Sequence, residues 1–169
     1  MEVYEAIRQR CSVRSYQAKA VEEDKLRRVL EAGRLSPSAR NRQERKLVVV
    51  QEPQRRKALA AAAEQPWLAE APVVVAVVGT TPDAVMYCDV PTDPVDCAIA
   101  FDHMTLAAVA EGLGTCWLGH FRQGECGKLL GVPDGAKVIE LLAVGYPAGE
   151  PTQRPRKPFD QVVCWEQFS

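Results

Sequence analysis

The chain has 169 residues, 47% of them apolar and 25% charged, with a formal net charge of −1. That length suits one domain with a real core, and the composition is that of a soluble globular protein. The balanced charge and the lack of a basic stripe with interleaved aromatics exclude a nucleic-acid binder; the longest strongly apolar run, Ala71 to Val78, is too short to span a bilayer, and a signal-peptide pattern is missing, so the expected location is the cytoplasm.

In chain order, residues 2–9 read as a short helix and Val13 to Tyr16 as extended chain. In an extended segment Arg10, Ser12 and Arg14 share one side. A hydroxyl flanked by two guanidinium forks suits a phosphate or a carbonyl-rich edge. Residues 22–34 carry Leu26, Val29 and Leu30 at helical spacing, with Gly33 as a stop. SPSARNRQ, Ser36 to Gln43, is a loop by composition, offering hydroxyl, amide and free backbone N–H groups. Leu47–Val50 is a short strand and Pro53–Ala63 an alanine-rich helix. Pro72–Val78 is a continuous β-branched run that suits a strand buried on both faces.

Asp93-Pro94-Val95-Asp96 reads as a helix start, with Asp93 as N-cap, Pro94 at N1 and an acid at N3. The helix runs to about Leu113 and is apolar on most of its faces, which suits a core element or a subunit interface. Thr115–Gly119 follows as strand, Gly124–Leu130 as helix and Val138–Val144 as strand. From Tyr146 onward Pro147, Pro151, Pro155 and Pro158 make an extended arm that carries Arg154, Arg156 and Lys157. The reading is one α/β sandwich domain over residues 1–169, with 146–169 as a C-terminal arm.

Motifs for nucleophilic, metal or acid–base chemistry are lacking. The cysteines at 11, 88, 97, 116, 126 and 164 are never closer than nine residues, which argues against a metal or iron–sulfur cage and for free thiols, mostly in the core. His103 and His120 are the only histidines, and His103 reads as a core residue. GLGTCWLG, Gly112 to Gly119, fails as a dinucleotide fingerprint: Trp117 holds the third glycine position, and the stretch follows a helix where a strand is required. What remains is three separated clusters, Arg10/Ser12/Arg14, Ser36–Asn41 and Arg154/Arg156/Lys157, suited to an anionic, planar ligand.

Taken in order, RQRCSVRSY (8–16), SPSARNRQ (36–43), Asp96-Cys97-Ala98-Ile99-Ala100 leading through Leu106-Ala107-Ala108 into GLGTCWLG, Gly145-Tyr146-Pro147 and Arg154-Pro155-Arg156 resemble the FMN-dependent nitroreductase family, especially its short members. The resemblance covers nearly the whole chain. It implies an α+β fold, an α/β/α sandwich with a mixed central sheet, and a homodimer with an exchanged C-terminal arm anchored by Trp165 and Phe168. It also implies two FMN sites at the subunit interface. Arg10, Cys11, Ser12 and Arg14 would line one FMN, with Arg10 toward the phosphate and Arg14 near N1 and the C2 carbonyl. Arg154 and Arg156 would be further phosphate ligands, and Pro37, Ser38, Ala39 and Asn41 the other subunit's contribution. Leu118 and Gly119 would face flavin N5, and Gln65 would bond the pyrimidine edge.

The implied activity passes hydride from NAD(P)H through flavin N5 to an electron-poor acceptor such as a nitroaromatic or quinone, by a ping-pong route. No catalytic side chain, metal, nucleic acid or membrane is involved. Two features depart from the family pattern. Glu44-Arg45 follows Gln43 where Pro and Trp are usual, and the stretch between the apolar strand and the Asp93 helix is short. The second implies an open site with Met86 and Tyr87 at its rim. The residues are also compatible with another flavin reaction on the same fold (flavin destruction, dehalogenation, enone reduction) and with an FMN-storage or redox-sensing protein of little turnover.

Overall fold

The computed structural model describes residues 1–150 and 152–168; Pro151 and Ser169, the second the end of the expected arm, lie outside them. Its frame is a four-stranded sheet of β1 (Arg45–Val50), β2 (Val73–Gly79), β3 (Gly114–Leu118) and β4 (Lys137–Gly145), in the order β1-β2-β4-β3. The run read as a doubly buried strand is β2, and all seven of its residues are buried. Side chains alternate across the sheet. Val74, Ala76 and Val78 join one core with Leu59, Leu68, Cys116, Cys126 and Leu141. Val73, Val75 and Val77 join the other with Leu26, Val29, Phe101, Met104 and Leu142.

Helices cover both faces. α3 (Pro53–Ala62) and α5 (Gln123–Leu130) lie on the first; α2 (Glu23–Leu35) and α4 (Thr92–Ala110) lie on the second. α1 (Val3–Gln9) contacts α4. The α/β/α sandwich is therefore as expected, but the mixed sheet is not. Every neighbouring pair of strands is antiparallel, and the only parallel pairing among the described residues is the single bridge between Ser12 and Thr115. A crossover does separate β2 from β4 in the chain, yet α4, β3 and α5 intervene and return β4 antiparallel.

Local chemistry accounts for most element ends. Glu52 caps α3, its carboxylate accepting from the backbone N–H of Gln54 at 2.9 Å and Arg55 at 2.7 Å, with Pro53 in the first turn. α5 ends on Gly131 at φ 65°, the left-handed position that glycine fills without strain. Three sequence readings need correction. α4 starts at Thr92, and Asp93 and Asp96 do not cap it. The Asp93 carboxylate accepts from Thr81 N at 2.9 Å and Thr81 Oγ1 at 2.7 Å, while both Asp96 oxygens accept from Ala39 N at 3.1 Å. Gly33 does not stop α2 but lies inside it. A Cβ there would stand 2.7 Å from Met104 Sδ, so the missing side chain lets α2 and α4 approach. His103, expected in the core, is only half-buried.

The N-terminal segment 11–17 lies against the outer edge of β3. Val13 N donates to Thr115 O at 2.9 Å, Gln17 N to Tyr146 O at 2.9 Å, and the Tyr16 hydroxyl to Val13 O at 2.6 Å. Gly114 permits this contact, since a Cβ would fall 2.6 Å from Val13 Cγ2. Gly114→Ala is expected to lift the segment off β3 and cost about 1–3 kcal/mol, read as a lower urea midpoint at fixed protomer concentration. Gly124→Ala is the control, because its Cβ meets nothing within 4 Å; its midpoint should not fall.

Candidate functional site

Segment 10–14 alternates as an extended chain must. Cys11 and Val13 are buried in the first core, Ser12 and Arg14 are exposed, and Arg10 is half-buried. Arg10, Ser12 and Arg14 thus come to one side, over β3. Cys11 turns inward, so only its backbone is open to a ligand. Beneath them burial pushes the Cys116 thiol up, partly offset by the Arg14 cation, a hydrogen bond with Ser12 and the Arg10 cation. Tyr16, buried beside the same group, has its phenol pushed far up by desolvation, with Cys116 adding to the shift and Arg14 opposing it.

The tail meets this cluster. Gln153 Nε2 donates to Gln9 O at 2.7 Å, so Arg154 begins one residue from a contact made one residue before Arg10. Among the described residues the Arg156 guanidinium bonds only backbone, Arg154 O at 2.8 Å and Pro155 O at 3.4 Å. Among the described residues Arg10, Arg14, Arg154 and Arg156 form no ion pair, whereas Arg27, Arg28, Arg34, Arg42 and Arg122 each hold a carboxylate. Arg10 and Arg14 on one side of the segment, with the arginine-bearing arm docked beside it through Gln153, offer donors of the kind that a phosphate and an electron-rich ring edge require.

Leu118 and Gly119 lie at the exit of β3, and Gln65 follows α3 on the face beside it. Leu118 is buried at the end of β3, and Gly119 is exposed with nothing within 4 Å of where a Cβ would stand. Arg122 ties this exit to α3: its N–H donates to Ala62 O at 2.9 Å and its guanidinium to Glu64 and Glu125. Gln65 follows Glu64, and its side-chain oxygen accepts from Trp67 Nε1 at 2.8 Å, which leaves the amide N–H groups to donate.

Pro37, Ser38, Ala39 and Asn41 do not join these groups. Their loop precedes β1, at the opposite edge of the sheet, and Ser12 bridges the far side of β3. Four strand spacings of about 4.8 Å separate the two edges, roughly 19 Å. The loop is nevertheless held firmly. Ser38 Oγ accepts from Gln43 N at 2.9 Å, Asp96 holds Ala39 N, and Arg45 Nη2 donates to Ser36 O at 2.8 Å and Ser36 Oγ at 2.7 Å. Arg40, Asn41 and Gln43 sit at φ 53°, 54° and 57°. Non-glycine residues in the left-handed region store strain, and such strain collects at ligand-binding loops. Met86, half-buried, and Tyr87, fully exposed, stand by this loop.

A cleft of about 730 Å³ runs between α2 and the open edge of β1. The tethering roles of Asp96 and Gln153 were missed from the sequence. An acid in a first helical turn reads as a cap, and a glutamine in a proline-rich tail carries no signal of its own. Among the described residues no group of histidine, cysteine and acid side chains is placed to hold a metal, and no helix is long and apolar enough to cross a membrane.

The arm leaves the domain at Tyr146, whose hydroxyl donates to Glu22 at 2.6 Å and accepts from Lys25 Nζ at 3.1 Å. The hydrogen bond from Tyr146 is the main cause holding the Glu22 carboxyl down from its ordinary 4.5 to about 2. A depressed carboxylate stabilises the fold above its unfolded pKa, and that stabilisation fades as pH falls through the folded one. Tyr146→Phe is therefore expected to lower the urea midpoint at pH 7, modestly because Glu22 is exposed. The gap to the parent should close as pH falls from about 4.5 toward about 2.

Comparison with known proteins converges on one group. The model described as "Nitroreductase family" matches residues 7–80 and 53–146. A Thermus thermophilus protein named NADH dehydrogenase is 31% identical over 92% of this chain and 92% of its own. A Bacillus subtilis protein named FMN reductase [NAD(P)H] is 29% identical over 99% of this chain and 74% of its own. The crystal structure of a nitroreductase family protein from Clostridium difficile superposes with a TM-score of 0.89 at 30% identity, over 99% of this chain and 100% of that one.

Proposed function

The chain belongs to the nitroreductase family, and we propose from this that it is an NAD(P)H-dependent FMN oxidoreductase acting on an electron-poor acceptor, a nitroaromatic or a quinone. The observation that carries the reading is the docking of the arginine-bearing arm beside segment 10–14 at the β3 edge, through Gln153 on Gln9 O, where Arg10 and Arg14 stand without carboxylate partners among the described residues. Bound FMN would supply hydride transfer in two half-reactions, from the pyridine nucleotide and on to the acceptor, so that no nucleophile or metal is needed from the protein.

The residues present fit that group. Arg10 with Arg154 and Arg156 neutralises a phosphate of about −1.5 to −2 charge. Arg14 provides a fixed cation that stabilises negative charge on the pyrimidine side of a bound ring, and it does so without reorganisation because Val13 and Tyr16 anchor its segment. Ser12 and the Gln65 amide offer donors, and Gly119 leaves backbone open to a flat ligand.

The loop Pro37–Asn41 lies too far away, across the sheet, to serve the same site within one chain. The reading therefore requires a homodimer in which each protomer lends this loop to the other. The arm supports it: Phe159, Val162, Trp165 and Phe168 are 63%, 66%, 75% and 99% exposed in the single chain. Apolar groups left that open mark a surface meant to be covered. Tyr4 and Ile7 of α1 are exposed as well.

The purified protein is expected to be yellow and to bleach within seconds on addition of NADH or NADPH without oxygen. A yellow protein reduced by neither overturns the oxidoreductase and leaves an FMN-binding protein of little turnover. A colourless protein that takes up no added FMN overturns the assignment of the arginines. A chain ended at Gly149 is expected to sediment as a smaller species and to lose FMN; if it keeps FMN stoichiometrically, Arg154 and Arg156 are not ligands.

A further inference from the structure

A cleft of about 300 Å³ lies between the strained loop and the turn before α4, lined by Ala39, Arg40 and Arg42 on one side and by Val85, Met86, Tyr87 and Thr92 on the other. Arg40 makes no ion pair among the described residues. Arg42 reaches only Glu44, at 3.5 Å, with both side chains partly open to solvent, a contact worth at most about 1 kcal/mol and easily exchanged. The neighbouring acids are otherwise engaged: Asp93 with Thr81, Asp96 with Ala39 N, and Glu44 also within 3.4 Å of Thr81 Oγ1. Asp83 and Asp89, on the turn itself, pair with neither arginine. The cleft thus combines two available guanidinium groups with an exposed aromatic ring and a thioether.

We infer that this cleft binds the phosphomonoester end of a nucleotide, the adenosine 2′-phosphate of NADPH, and that Arg40 and Arg42 set the preference for NADPH over NADH. Guanidinium forks match a phosphomonoester bidentately, and Tyr87 offers a face on which a purine stacks. The position follows from the loop. Arg40 and Arg42 alternate with Ala39 and Asn41, the residues assigned to the flavin site, so a dinucleotide whose nicotinamide lies at that site extends its phosphates along the same loop. The left-handed backbone at residues 40, 41 and 43 holds the two arginines in place without the entropic cost of ordering a flexible loop. This inference rests on the oxidoreductase reading, which places the nicotinamide, whereas the calorimetric test below reads the phosphate site without it.

The test compares the parent with Arg40→Gln and Arg42→Gln in two ways. Calorimetry on the purified protein uses adenosine 2′,5′-bisphosphate against adenosine 5′-monophosphate, which needs no flavin and no turnover. Steady-state kinetics measures NADPH and NADH with FMN and riboflavin as acceptors. Both substitutions are expected to weaken adenosine 2′,5′-bisphosphate by at least about tenfold, to raise KM for NADPH to the same extent, and to leave kcat and the KM for NADH within about twofold. A rise in KM for FMN but not riboflavin, with NADPH untouched, overturns the NADPH assignment and leaves a phosphomonoester site for a free flavin acceptor. Equal changes across all four substrates, or unchanged binding of the bisphosphate, overturn the inference. If the protein has no flavin and no turnover, the proposed function fails while the calorimetric arm still decides the cleft.

Discussion

Everything in this molecule is arranged around a strand with no polar side chain. Residues 73–79 read VVVAVVG, and all are buried. Such a strand cannot have a wet face, so the sheet must be covered on both sides, and the amphipathic α2 and apolar α4 on one face oppose α3 and α5 on the other. With both faces closed, the sheet can present chemistry only at its edges and ends. Both groups of residues assigned to ligand binding are found there, one outside β3 and one ahead of β1.

The sequence was most legible where a single physical rule dominates. Alternation placed Arg10, Ser12 and Arg14 on one side because Cys11 and Val13 are apolar and had to turn inward. The β-branched run announced β2 for the same reason. Legibility failed where a residue serves a distant partner. Asp93 and Asp96 look like helix caps, yet their carboxylates secure Thr81 and Ala39, contacts that depend on how α4 lies against two loops. Gly33 looks like a helix stop but is a contact surface for Met104. The left-handed backbone at Arg40, Asn41 and Gln43 left no trace in composition, since none of these positions holds glycine. Strand direction was also beyond reach: the lengths of the connections fit a mixed sheet as well as the antiparallel one that formed.

The two departures from the family pattern also acquire physical content. Glu44 does not disturb the loop ahead of it; it receives Thr80 N through its backbone and stands beside Arg42 and Thr81. Arg45 turns back to hold the end of α2 through Ser36. The pair thus stiffens the loop that carries Pro37–Asn41. The short connection before α4 leaves Tyr87 uncovered and the adjoining cleft open. Rigid support below and an open rim above describe a site whose selectivity lies in charge placement more than in enclosure.

The order β1-β2-β4-β3 leaves β1 with one unpaired side, and its sequence is RKLVVV. A free edge of that composition is a template onto which another extended chain can add. Arg45 and Lys46 guard its first residues, but Val48 is only partly buried and Val49 is exposed. For a newly made chain this sets a race between completing the fold and aggregation, run at the concentration of chains still folding. Expression level and temperature therefore decide the yield of soluble protein more than the stability of the finished fold does.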